Sequence, residues 1–338
     1  MQKDVSILIS ILRIILLFPV IAIHSPHNNS AITEWFIAFV ARAAVPMFFI
    51  ISGFLFANSK TRFAENVKKR VYTLLIPFFL WMFVGLIFME CKIALGLASS
   101  ENVYANASVL EKVMMASGFF DSFPVLDGPM WYIRNLFCAC CLFPIVVKIL
   151  RSVPLSFMAI CLLCYLFKFN NYFYNTTIST LAFFPIGVYL SIYRLDIVSL
   201  FSQKAALIST LGTIVLTFLW YYCRGYFVCV IFSQLGSLCF IYLIAHLILA
   251  LISCKKIHIK KESIFLRSAF FVYASHALLI PPFEKLVFVY FKTGNAFITP
   301  LNYVLFVLSI YMLSLASFAV LEKVLPNKIW QPLYGNKS

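Results

Sequence analysis

The chain has 338 residues, 63% of them apolar and 12% charged, with a mean hydropathy of +0.96 and a net charge of +15. Soluble domains carry about 25% charged residues, so this composition excludes a soluble enzyme, a disordered chain and a disulfide scaffold. Long unbroken apolar runs exclude a transmembrane barrel, whose strands alternate in polarity.

What remains is an all-α polytopic membrane protein in a single membrane domain over residues 1–338. Ten apolar runs fall near 5–23, 35–57, 71–96, 131–150, 154–169, 175–193, 205–222, 226–253, 264–291 and 299–321, each near the length that crosses a bilayer. Lys and Arg collect in cytoplasmic loops. With the N-terminus inside, the inside segments hold 18 Lys and Arg and the outside segments 4, which predicts N-in, C-in and an even number of spans. The positive charge is thus an orientation signal, and no nucleic-acid partner is expected. The ten cysteines lie mostly within apolar runs and show no paired metal-site spacing, so no metal is expected.

Charges in hydrocarbon are costly and mark functional positions. The first span carries Arg13 near its middle and His24 at its outer end. Eleven residues is about three helical turns, so a straight helix puts both on one face, roughly 16 Å apart along the axis. The second span opens on Arg42 and runs through Pro46, Ser52 and Gly53. The proline bends a helix and the small pair admits a neighbouring backbone. Before the fourth span the long outer loop returns as Asp127-Gly128-Pro129-Met130-Trp131-Tyr132-Ile133-Arg134. There Trp131 and Tyr132 read as an aromatic belt or an acceptor surface, and Asp127 and Arg134 either pair or face a polar acceptor. His276 lies in the ninth span within Tyr273-Ala274-Ser275-His276 and His246 in the eighth, where a hydrogen-bonded structural role is expected.

Four of these features resemble the acyltransferase-3 family of integral membrane acyltransferases, which modify extracytoplasmic glycans. They are Arg13 with His24, the stretch Arg42 to Gly53, Val67-Lys68-Lys69-Arg70-Val71 leading to Leu75-Ile76-Pro77-Phe78 and Trp81, and Gly128-Pro129-Met130-Trp131-Tyr132. The Tyr-x-x-His of the ninth span adds to them. The chain departs from the pattern in having Ser10-Ile11-Leu12 before Arg13, where many members place an Asp. It also shows no esterase-like segment of the kind many relatives carry, so the acceptor is expected to meet the membrane domain itself.

The resemblance implies a multi-pass protein of the bacterial cytoplasmic membrane that moves an acyl group, acetyl by family frequency, from cytoplasmic acyl-CoA to a hydroxyl of a surface carbohydrate. Acetyl-CoA is then a donor substrate, and no permanently bound cofactor is expected. His24 becomes the catalytic residue, as general base or as acyl carrier, with Arg13 beside it for donor binding or pore shape. Arg42, Arg134 and Ser52 are the donor or oxyanion candidates, Asp127, Trp131 and Tyr132 the acceptor-side candidates, and His276 is secondary. A transporter or flippase for a polar or acylated substrate is the competing reading. It would need a polar pathway open to each side in turn, and no internal repeat is visible to build one.

Overall fold

The computed structural model describes residues 3–27, 30–96, 106–117, 128–167, 172–254, 263–291 and 299–335. These residues form helices and connecting turns, with no strand among them. This is the outcome hydrocarbon imposes, because every backbone N–H and C=O must be satisfied within its own segment. In chain order the helices are α1 (Lys3–Ile15), α2 (Leu17–His24), α3 (Ala31–Trp35), α4 (Ala44–Ala57), α5 (Phe63–Arg70), α6 (Ile76–Ala94), α7 (Val109–Ser117), α8 (Trp131–Cys141) and α9 (Phe143–Ser152). They continue with α10 (Pro154–Leu166), α11 (Tyr172–Ile192), α12 (Ile197–Leu200), α13 (Gln203–Tyr222), α14 (Val228–Ser253), α15 (Ile264–Arg267), α16 (Ala269–Phe291), α17 (Pro300–Val324) and α18 (Asn327–Leu333). Among the described residues seven spans are long and apolar enough to cross a bilayer, or eight if the bent pair α8–α9 counts as one. The protein is an all-α polytopic membrane protein.

Prolines account for most departures from straight spans. Pro19 cannot donate to the Ile15 carbonyl and its ring crowds that group, and the first span breaks at Leu16 between α1 and α2. Pro46 does the same to Arg42, and the second span passes through a π-turn at Phe36–Val40 and a 3-10 turn at Ala41–Ala43 before α4 begins. Pro77 frees Thr73, and Val71–Leu75 is again a π-turn. Pro144 lies at the start of α9, and α8 and α9 bend by 64° at Leu142. The single fourth span expected over 131–150 is therefore two helices with a sharp corner. The fifth span, expected over 154–169, is a 13-residue helix ending at Leu166. The ninth starts as α15 and turns at Ser268 into α16.

Close packing is set by small residues. Gly53 of α4 faces the Phe184 carbonyl of α11, while Gly187 of α11 faces the Ile50 carbonyl of α4. A Cβ at Gly187 would also lie 2.7 Å from the Phe54 nitrogen. The two helices thus cross backbone to backbone through reciprocal glycines. Phe39, stacked on Trp35 at 5.7 Å, lies against Gly236. Leu207, Ile208, Leu211, Val215 and Phe218 of α13 are exposed and face lipid.

Both described ends of the chain come to one end of the bundle. Helix α1 packs on α12 and α15, Gly335 lies on Thr73 and Phe270, and the Trp81 indole donates to the Leu333 carbonyl over 2.8 Å. Trp330 is buried against Phe271 and Phe318 at 5.3 and 5.1 Å, so α18 is held by aromatic packing. At the opposite end the Tyr303 hydroxyl donates to Ala22 over 2.6 Å and Arg224 pairs with Glu34 at 3.0 Å. Terminal ends that share one side agree with the loop charges.

Candidate active site

Two histidines from distant parts of the sequence meet. His24 ends α2, where the Tyr303 hydroxyl holds the Ala22 carbonyl and the Ser25 hydroxyl donates to Ile21 over 2.9 Å. Its ring is exposed, yet it lies 5.4 Å, centroid to centroid, from the ring of His276 on α16. His276 is fully buried. Its Nδ1 lies 2.6 Å from the Tyr273 carbonyl of its own helix. A carbonyl only accepts, so Nδ1 carries the proton and a neutral ring presents a bare Nε2. That nitrogen is buried and has no hydrogen-bond partner.

Next to the histidines lies a cavity of about 170 Å³, whose lining includes Arg13, Arg70, Ser52, Tyr132, Cys140 and Tyr273. Arg13 reaches it from α1 and is exposed to it. Arg70 ends α5, with its guanidinium 5.6 Å from the centre of the Phe56 ring and an Nε that has no protein partner. No carboxylate belongs to the lining among the described residues. Two guanidinium groups sharing one cavity, with no carboxylate among its described lining, have the chemistry to hold an anion.

The far wall of the cavity is aromatic and ordered. The Tyr132 hydroxyl lies 3.0 Å from Ser52 Oγ and donates to the Phe48 carbonyl over 3.3 Å. The ring of Tyr132 packs against Tyr273 at 5.7 Å, and Tyr273 donates its hydroxyl to the Pro129 carbonyl. The Gly128–Met130 turn is thus carried inward until Pro129 and Met130 are buried. Tyr273 both lines the cavity and offers its backbone carbonyl to His276. One residue therefore joins the basic cavity to the histidine pair.

The structure brings Arg13, Ser52 and Tyr132 together around this cavity and places His24 with His276 behind its tyrosine wall. It does not bring Arg134 there. Residues 132 and 134 sit on different faces of α8, and Arg134 lines a second cavity of about 170 Å³ with Asn135, Thr177 and Thr180. The Arg134 Nε donates to Asn135 over 2.9 Å. Arg42 is exposed on the Ala41–Ala43 turn and is not part of the first cavity's lining. Trp131 is half-buried against Phe49 at 6.1 Å. Asp127 lies outside the described residues. His246 lies 2.9 Å from the Phe201 carbonyl, as a structural histidine should.

Sequence reasoning missed Arg70 and Cys140 as cavity residues. Arg70 sits in a run of basic loop residues, where orientation charge hides a functional one. Cys140 shares the face of α8 that carries Tyr132 and Leu136, so its place was readable from helical periodicity once Tyr132 was singled out.

A family model described as an acyltransferase domain matches residues 7–322. Among curated proteins, the succinoglycan biosynthesis protein ExoH of Rhizobium meliloti (strain 1021) is 25% identical over 215 residues, covering 58% of this chain and 57% of that protein. The similarity thus spans little more than half the length of that relative. No solved structure matches the chain.

Proposed function

The chain belongs to the acyltransferase-3 family, and from that premise we propose that it transfers a short acyl group, acetyl in the first instance, from cytoplasmic acyl-CoA to a hydroxyl of an extracytoplasmic polysaccharide. The observation that carries this reading is the cavity lined by Arg13 and Arg70, joined through Tyr273 to the His24–His276 pair. The related protein's role in succinoglycan biosynthesis supports a carbohydrate acceptor.

In this mechanism the donor enters from the side of the basic loops 58–70 and 254–267. Arg13 and Arg70 hold anionic and amide groups of the donor, and the thioester comes to rest near the tyrosine wall. His24 takes the proton from the acceptor hydroxyl as the oxygen attacks the thioester carbon. The carbon–sulfur bond breaks, the ester forms, and the proton passes from His24 to the leaving thiolate of CoA. Ser52 lines the same cavity, and its hydroxyl is the proposed source of the oxyanion stabilisation that acyl transfer requires.

The test uses purified protein in proteoliposomes with acyl-labelled acetyl-CoA and extracted surface polysaccharide. Wild-type protein should label the polysaccharide. R13A and R70A should each raise the KM for the donor about 10–100-fold, the range expected for one lost charge-assisted contact, with a smaller change in kcat. Labelling with unchanged donor KM in both variants would remove the donor site from the cavity. No labelling and no acyl-CoA hydrolysis by the wild type would favour the transport reading.

A further inference from the structure

We infer that His276 is a positioning residue that fixes the tautomer and aim of His24. The inference rests on the reading of His24 as the group that meets the acceptor hydroxyl. His276 is 0% exposed, so no substrate touches it, and any part it plays must pass through a neighbour. One of its nitrogens is committed, with Nδ1 donating to Tyr273 over 2.6 Å. The other, Nε2, is a buried acceptor with no partner, and a buried polar group left unsatisfied is destabilising.

The neighbour with a donor to offer is His24. The two rings are 5.4 Å apart between centroids and inclined by 49°. At that separation, nitrogens aimed at one another stand about 3.2 Å apart, within hydrogen-bond range. His24 ends its helix and its ring is exposed, so a rotation of that ring closes the contact. The result is a directed chain. The Tyr273 carbonyl accepts from His276 Nδ1, and His276 Nε2 accepts from one nitrogen of His24. The remaining His24 nitrogen must then be bare and turned away from His276, toward the acceptor hydroxyl.

The proton inventory is consistent throughout. His24 gains the hydroxyl proton during attack and loses it to the thiolate, while His276 keeps its single proton on Nδ1 at every stage. His276 thus orients a catalytic imidazole and fixes its tautomer from behind, the role a buried carboxylate plays in hydrolytic triads. A neutral acceptor does this without placing a second charge in the membrane, where ionised groups are costly.

Two amide variants separate this role from a structural one. Glutamine at 276 places its amide where Nε2 stands, and asparagine places it where Nδ1 stands. The measurement is kcat and donor KM for H276Q, H276N and H276A, per amount of folded protein judged by thermal unfolding in detergent. Positioning predicts that H276Q keeps kcat within about 10-fold of wild type, while H276N and H276A lose about 100-fold, all with unchanged donor KM. A structural role predicts the reverse order, with H276N active and H276Q impaired, because the bond to Tyr273 would then be what matters. That order, or three equally active variants, would overturn the inference. If H276A fails to fold, the glutamine and asparagine pair still decides. A wild type without transfer, or a fully active H24A, would instead be a failure of the underlying mechanism.

Discussion

Replacing His24 by alanine is expected to abolish acyl transfer while leaving the protein folded and in the membrane. The ring is exposed at the end of α2, and the helix end is held by bonds that do not involve it, from the Tyr303 hydroxyl to the Ala22 carbonyl and from the Ser25 hydroxyl to the Ile21 carbonyl. Removing the imidazole therefore leaves the fold its support and takes away the reacting base. General-base catalysis contributes about 10²–10⁴ in rate, so kcat should fall by at least about 100-fold with the donor KM held by Arg13 and Arg70. The check is labelled-acyl transfer by H24A and wild type at matched protein levels. Retained transfer in H24A would end the catalytic assignment.

The largest effect on stability is expected at the crossing of α4 and α11. G187A would drive a methyl group into the Ile50 carbonyl and to 2.7 Å from the Phe54 nitrogen. Backbone atoms cannot rotate away as side chains do, so the helices must separate. Overpacking of this kind costs about 1–3 kcal/mol, occasionally more. The displaced helix carries Ser52, whose hydroxyl meets Tyr132 at 3.0 Å, so activity should fall with stability. G212A is the control. Its nearest neighbour is the Cys239 Sγ at 3.3 Å, a side-chain atom that can move, and alanine favours the helix by about 1 kcal/mol over glycine. Thermal unfolding in detergent should show a clear drop for G187A and little change for G212A. Equal melting of the two would mean that the crossing is looser than described.

The class of fold was legible because membrane spans announce themselves by length and hydropathy alone. The loop charges predict that both ends lie on one side, and the contacts of α1, Gly335 and Trp81 bring the described ends to one end of the bundle. The shapes of the spans were less legible. Pro19, Pro46, Pro77 and Pro144 were all visible in the sequence. Whether a proline yields a gentle bend, a π-turn or a 64° corner depends on what receives the freed carbonyl. The eleven-residue spacing of Arg13 and His24 illustrates the limit. Helical arithmetic assumes an unbroken helix, and the first span is interrupted at Leu16, between Arg13 and His24.

The site was legible in part. Arg13, Ser52 and Tyr132 were each readable as polar groups in apolar surroundings, and they share one cavity. Their union with Arg70 was not, because a loop cation looks like any other orientation charge. The meeting of His24 with His276 was not readable either, since 252 residues separate them and no local pattern encodes that contact. Arg134 was conspicuous as an intramembrane cation, but the two faces of α8 send Arg134 and Tyr132 to different cavities.

The most direct test of the central claim, that donor and acceptor are served from opposite sides of the membrane, is transfer in sealed vesicles of known sidedness. Acyl-labelled acetyl-CoA is supplied to inside-out or right-side-out vesicles carrying wild-type protein or H24A. The account predicts that label enters carbohydrate on the extracytoplasmic face only when donor is present at the cytoplasmic face, and that H24A gives none. Labelling that requires donor at the extracytoplasmic face, or labelling that persists in H24A, would contradict it.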